Sequence, residues 1–248
     1  MSVTSQAVPY RDGDRALTGF LAWDAASVDA RPGILVVHGG AGLDDHAKGR
    51  ARRFAESGFV AFACDMYGDG VPGNRERVMA RIQELRHDRA GLCALAQAAL
   101  DILARHSQVD GRLAAVGYCF GGMTVLELAR SGMDLTGVVS VHGSLETTHP
   151  AQPDTVKAKI LVCHGALDPH VPTAHVTAFA DEMNNARTDW QLIVYGGAMH
   201  GFTHEAATGI PGVAYHAPTD LRSSKAIQMF FDELFGLPST SEAVAVTR

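Results

Sequence analysis

Three residues in this chain combine types and surroundings that could perform nucleophilic chemistry. Cys119 lies in Val116-Gly117-Tyr118-Cys119-Phe120-Gly121-Gly122, Asp168 in HGALDPHVP and His200 in GGAMHGF. A thiol becomes a strong nucleophile once deprotonated, an imidazole can take that proton, and a carboxylate can hold the imidazole in the tautomer that does so. The G-x-C-x-G-G pattern has a steric reason: small residues on either side let a strand turn sharply into a helix while neighbouring backbone approaches closely. Such a turn sets the thiol at a helix N-terminus, where unpaired N–H groups and the helix dipole favour thiolate. Taken singly, each residue has a plainer reading. The cysteine could be a small core residue, the aspartate a turn or cap, and the histidine an exposed loop residue.

What distinguishes them is the elements that must position them. Gln6 to Trp23 reads as two short strands about the Asp12-Gly13 turn, after which Arg31-Pro32-Gly33 introduces an alternation of strands and helices. Ile34 to Val37, Val60 to Ala63, Leu113 to Gly117, Val138 to Val141, Ile160 to Cys163 and Gln191 to Val194 are short apolar runs of the kind a parallel sheet buries on both faces. Helical patterns fall at Asp45 to Ser57, Gly122 to Arg130, Thr173 to Asn184 and Thr219 to Phe235. Arg75 to His106 forms one or two helices, with Leu92, Leu95, Ala96, Ala99, Ile102 and Leu103 on its core face. The expectation is an α/β fold with a mostly parallel sheet of about eight strands and helices on both faces. It forms a single domain over residues 1–237, with a frayed tail over 238–248. Ligands of such sheets bind outside the carboxyl ends of the strands, where His38, Asp65, Cys119, His142 and His164 fall, with Asp168 and His200 in loops just beyond. The order nucleophile, acid, histidine is the one α/β-hydrolases use.

A tetrahedral intermediate needs N–H donors for its oxyanion, and the first is expected from Phe120, directly after the cysteine. The second is expected from the loop His38-Gly39-Gly40-Ala41-Gly42, which has no G-x-x-x-x-G-K-[ST] continuation and so does not read as a phosphate loop. At this point the chain resembles the dienelactone hydrolases (carboxymethylenebutenolidases) over nearly its whole length. The segments that carry the resemblance are ILVVHGGAGLDDHAKGRARRFAESGFVAFACDMYG, VGYCFGG, HGALDPHVP, GGAMHGF and KAIQMFFDELFG. The resemblance implies that Cys119, Asp168 and His200 form a catalytic triad, that Gly40 and Phe120 supply the oxyanion N–H groups, and that Tyr67 lies near the pocket with His38, Gly39, His142 and Phe202. It implies an ester or lactone hydrolase working through a thioester, with no cofactor. The chain departs from the family twice. Gly39 replaces a glutamate that is thought to help activate the cysteine, which leaves Cys119 to His200 and the helix N-terminus. After His200 the sequence runs Gly201-Phe202-Thr203-His204 without the arginine that holds an anionic substrate, a role that His38 or His204 could fill only weakly.

Composition narrows the alternatives. The chain has 248 residues, 46% of them hydrophobic, and a net charge of -6 spread without a polybasic run, which speaks against nucleic acid as a partner. No apolar stretch approaches the roughly 20 residues that span a bilayer. The absence of a leader-like start and four cysteines without a C-x-x-C pair point to the cytoplasm, as monomer or homodimer. Twelve histidines raise a metal reading, yet His200-x-x-x-His204 lacks the H-E-x-x-H glutamate, so no metal is expected. Cys64, Cys93 and Cys163 read as small core residues, and Lys48, Arg50, Arg52 and Arg53 as the solvated face of a helix. Two other classes remain: a hydrolase-like binding protein that does not turn over, and a thiol redox protein, the latter weakened by the lack of a resolving cysteine.

Overall fold

The computed structural model describes residues 2–206 and 209–237. The expected tail after Pro238 lies outside them. An N-terminal hairpin, β1 (Val3–Asp12) and β2 (Arg15–Asp24), turns at Gly13, whose φ of 55° suits glycine. Then follow β3 (Arg31–Val37), α1 (Asp45–Glu56), β4 (Val60–Cys64), α2 (Arg75–His87), α3 (Arg89–Ala104), β5 (Val109–Tyr118) and α4 (Phe120–Arg130). The chain continues through β6 (Gly137–Val141), β7 (Lys159–Gly165), α5 (Thr173–Asn185), β8 (Trp190–Tyr195) and α6 (Ala217–Phe235). The eight strands form one sheet in the order β1-β2-β4-β3-β5-β6-β7-β8, antiparallel at β1/β2 and β2/β4 and parallel from β4 to β8. This is the α/β-hydrolase arrangement, with the eight strands expected.

Alternation along each strand sends neighbouring residues to opposite faces. Leu35, Val37, Phe62 and Ala115 pack on one side with Leu92, Leu95 and Leu103 of α3 and Phe179 of α5. Ile34, Val36, Ala61, Ala114 and Val116 pack on the other with Phe54 of α1 and Phe231 and Phe235 of α6. Parallel strands buried on both faces therefore read as unbroken apolar runs.

The long helical region breaks into α2 and α3 at Asp88, which ends one helix and caps the next by accepting the Gly91 N–H at 2.9 Å. A Cβ at Gly91 would meet that carboxylate at 2.3 Å, so the glycine is what admits the cap. The basic residues of α1 do not all face solvent, as the sequence reading had it. Arg50 is buried, because Ala47, Arg50, Ala51 and Phe54 share the inner face at helical spacing. Its guanidinium pairs with Asp220 of α6 at 2.7 Å. Among the described residues no helix is long and apolar enough to cross a membrane.

β3 is where the strand order reverses: the chain passes to β4 on one side and later to β5 on the other. Val37 stands beside Gly117, so the carboxyl ends of β3 and β5 lie at the same height and open a crevice between them. The loop after β6, at one border of that crevice, is tied down by Arg130, which bonds Glu127, both oxygens of Glu182 and the carbonyl of Leu145 at 2.8–2.9 Å. Glu182 also accepts the Ala151 N–H at 2.8 Å. Removing one partner of a buried ion group leaves the others uncompensated, so Arg130→Leu should cost about 3–5 kcal/mol in urea unfolding. A cost below about 1 kcal/mol would show that the network does not bear on stability.

Candidate active site

Cys119 occupies the turn between β5 and α4 at φ 54° and ψ −112°, a backbone conformation that non-glycine residues rarely adopt. Close contacts hold it there. A Cβ at Gly117 would lie 1.9 Å from the Gly121 carbonyl oxygen, and one at Gly121 would lie 2.2 Å from that of Val37. The first glycines on either side of the cysteine are therefore required by backbone packed against backbone, and the second contact fastens the turn to the end of β3.

Asp168 follows β7 and His200 follows β8, and the structure brings both to Cys119. His200 Nε2 lies 3.1 Å from Cys119 Sγ, and its Nδ1 lies 2.8 Å from Asp168 Oδ2. The other oxygen of Asp168 accepts the His170 N–H at 2.8 Å, and backbone bonding of His200 to the Val213–Ala214 segment steadies the imidazole. Burial pushes the Cys119 thiol up, but the hydrogen bond and charge of His200, with the N–H groups of Phe120 and Gly40, outweigh it and hold the thiol below its ordinary range. Burial pulls His200 down, yet its bonds to Asp168 and Cys119 raise it to about 10. Both shifts favour a thiolate–imidazolium pair. Gly39 contributes no charge to it, and a Cβ there would stand at ordinary contact range, 3.6 Å from that of Cys119.

The remaining residues singled out in the sequence divide by exposure. His38, Tyr67, His142 and Phe202 are 0, 1, 2 and 0% exposed, so they back the site instead of facing open solvent. His38 donates from Nδ1 to the Gly39 carbonyl at 2.7 Å and accepts the Met66 N–H at Nε2 at 3.1 Å, which leaves no nitrogen for a substrate carboxylate. Tyr67 meets His38 edge-on and lies tilted against Phe120, and it points its hydroxyl at the Gly40 carbonyl, 3.5 Å away. His204 bonds Asp44 at 2.9 Å. Sequence reading missed Thr203 and His46, which join His142 in a hydrogen-bonded chain; their wide separation along the chain gives no local signal. The register of Arg50 with Ala47, Ala51 and Phe54 was such a signal.

Among the described residues Asp44, His46 and His204 bring possible metal-ligand atoms within 4.8 Å of one another. The two imidazoles stack at 4.6 Å and 19°, and the Arg50 Nε–H stands 3.3 Å from His46. As arranged, the group is a hydrogen-bonded stack, with His204 on Asp44 and His46 on Thr203.

The sequence pattern of the dienelactone hydrolase family matches residues 17–235. The chain belongs to that family. The crystal structure of a dienelactone hydrolase-like promiscuous phosphotriesterase from metagenomic libraries superposes with a TM-score of 0.87 at 41% identity, covering 94% of this chain and 99% of that one. An uncharacterised protein of Caenorhabditis elegans is 38% identical over 144 residues, 56% of this chain and 91% of that protein. A Bradyrhizobium sp. protein named "Probable 2-oxo-3-(5-oxofuran-2-ylidene)propanoate lactonase" is 30% identical over 187 residues, 70% of this chain and 74% of that one. This dienelactone hydrolase family member is accordingly a hydrolase by kinship, with Cys119, His200 and Asp168 in hydrogen-bonding sequence.

The charge state can be read directly. The rate of alkylation of Cys119 by neutral iodoacetamide, located by mass spectrometry, should stay nearly flat from pH 7 to 9, whereas an ordinary thiol gains roughly tenfold per unit below about pH 8.5. In His200→Ala, burial is opposed only by the Phe120 and Gly40 N–H groups, and the rise with pH should move upward relative to the native protein. An unshifted profile in the native protein would refute the ion pair.

Proposed function

We propose that this chain hydrolyses carboxylic esters or lactones of small molecules through a thioester on Cys119. The contiguous geometry Cys119–His200–Asp168, at 3.1 and 2.8 Å on a strained strand-to-helix turn, is the observation that supports this reading. The Cys119 thiolate attacks the carbonyl carbon, and the oxygen that takes the electron pair is stabilised by the N–H groups of Gly40 and Phe120. Collapse of the tetrahedral species breaks the C–O bond, and the leaving oxygen takes the proton from His200. Water then gives a proton to His200 and attacks the thioester, and the thiolate departs with the acid as product. Asp168 holds the Nδ1–H tautomer throughout. The lactonase name of the Bradyrhizobium relative agrees with this class of substrate.

The substrate is proposed to be uncharged near the reacting carbonyl. His38 spends both ring nitrogens on backbone groups and His204 bonds Asp44, so neither offers a free cation to a substrate carboxylate. The four free cysteines agree with action in the reducing cytoplasm by one domain over residues 1–237.

Three measurements test this. Cys119→Ala should lower hydrolysis of an activated ester by at least about 10³-fold, and intact-mass analysis of the native protein after brief exposure should show one acyl group on Cys119. Retained activity in the variant overturns the nucleophile, and complete absence of turnover and adduct in the native protein favours a binding protein. Neutral esters should exceed an anionic dienelactone in kcat/KM; the reverse preference would overturn the substrate charge.

A further inference from the structure

His142 follows β6 at φ 41°, a left-handed backbone conformation that swings its imidazole inward beneath His200, with ring centroids 5.4 Å apart. It is buried and sits perpendicular to the Phe202 ring, with centroids 4.9 Å apart. The Cys119 N–H is shared between the Val141 carbonyl at 3.0 Å and His142 Nδ1 at 3.1 Å. On its far side His142 Nε2 lies 2.9 Å from Thr203 Oγ1, which lies 3.1 Å from His46 Nε2. That same nitrogen of His46 faces the Arg50 Nε–H at 3.3 Å, and Arg50 is fixed by Asp220 and by the Thr203 carbonyl at 2.7 and 2.9 Å.

The two ends of this chain determine every proton in it. A peptide N–H can only donate, so His142 Nδ1 accepts and its hydrogen sits on Nε2, pointing at Thr203. A guanidinium can only donate, so His46 Nε2 accepts, and the Thr203 hydroxyl donates to it while receiving from His142. No other assignment satisfies all the contacts. Thr203 is 2% exposed, so water is poorly placed to substitute for a missing member.

We propose that His142 is a positioning residue for the nucleophile turn: a neutral imidazole that receives the Cys119 N–H and is held in the required tautomer by Thr203, with His46 and Arg50 behind it. The wrong tautomer would point Nδ1–H at the Cys119 N–H and push the turn, with its Phe120 N–H, out of line with Gly40. The inference rests on the reading of Cys119 as nucleophile for its effect on turnover, but its effect on the turn itself is independent of that reading.

A double-variant cycle tests it. Thr203→Val keeps the carbonyl that Arg50 uses and removes the hydroxyl, and it should lower kcat for an activated ester roughly tenfold to a hundredfold with KM within about twofold, whereas Thr203→Ser should stay near native. His142→Asn retains an acceptor oxygen near the Nδ1 position, tolerates the left-handed backbone and has no tautomer to lose. It should remain within about threefold of native, and adding Thr203→Val to it should cause no further fall. Native kcat in Thr203→Val, or independent losses that multiply in the double variant, overturns the proposal. The iodoacetamide rate at Cys119 should slow in Thr203→Val and not in His142→Asn/Thr203→Val; this arm holds even where Cys119→Ala retains activity, so a failure of the nucleophile reading is told apart from a failure of this one.

Discussion

Backbone against backbone at the end of β5 is the constraint on which the rest of this structure depends. Gly121 must pass within contact of the Val37 carbonyl, and Gly117 within contact of Gly121, or the chain cannot reverse from strand to helix at Cys119. That approach is possible because β3 and β5 are neighbours in register, and they are neighbours because the strand order reverses at β3. The sheet topology, the glycine spacing and the strained dihedrals at Cys119 are one fact at three scales. The strain, of order 1–3 kcal/mol for such a conformation, is small against two apolar faces that bury side chains at about 1.5–3 kcal/mol each, so the fold can hold the turn in place.

Once the turn is held, electrostatics follow from what the loops bring to it. A buried thiol on its own would resist ionisation. Here it meets an imidazole whose other nitrogen is occupied by a carboxylate, with the N–H groups of Phe120 and Gly40 also favouring the thiolate. Charge separation is favoured because each charge is met by a partner within hydrogen-bond range, in surroundings where water competes weakly. Gly39 adds no carboxylate beside the cysteine, so the charges that favour the pair are those of His200 and Asp168.

The other histidines have a different task. His38, His46 and His142 are kept below their ordinary range, in each case chiefly by burial, and each uses its nitrogens as fixed donors or acceptors toward backbone or hydroxyl groups. Neutral imidazole suits this because it offers one donor and one acceptor at defined angles, and the polarity of the whole chain is set by groups that cannot change: a peptide N–H at one end and a guanidinium at the other. One imidazole, that of His200, is thus pushed toward carrying a proton, and the others are pushed away from it.

The amino-acid sequence by itself determined the strand and helix periods, because buried parallel strands must be apolar throughout and helices must keep one apolar stripe. It also carried the turn at Cys119, because only small residues permit that approach, and the order of Cys119, Asp168 and His200. These are local or one-dimensional properties. The break at Asp88 was partly visible, since Asp-x-x-Gly can cap a helix, but a continuous helix remained compatible with the same apolar stripe. Tertiary structure decided the burial of Arg50, whose partner Asp220 lies 170 residues away, and the inward turn of His142 onto Cys119. It also decided that His38 and His204 are spent on internal bonds. The reason is physical: a polar side chain's role depends on which donors and acceptors surround it, and here those come from β3, β5, β6, α1, α6 and the loop after β8, which meet only when the sheet is assembled.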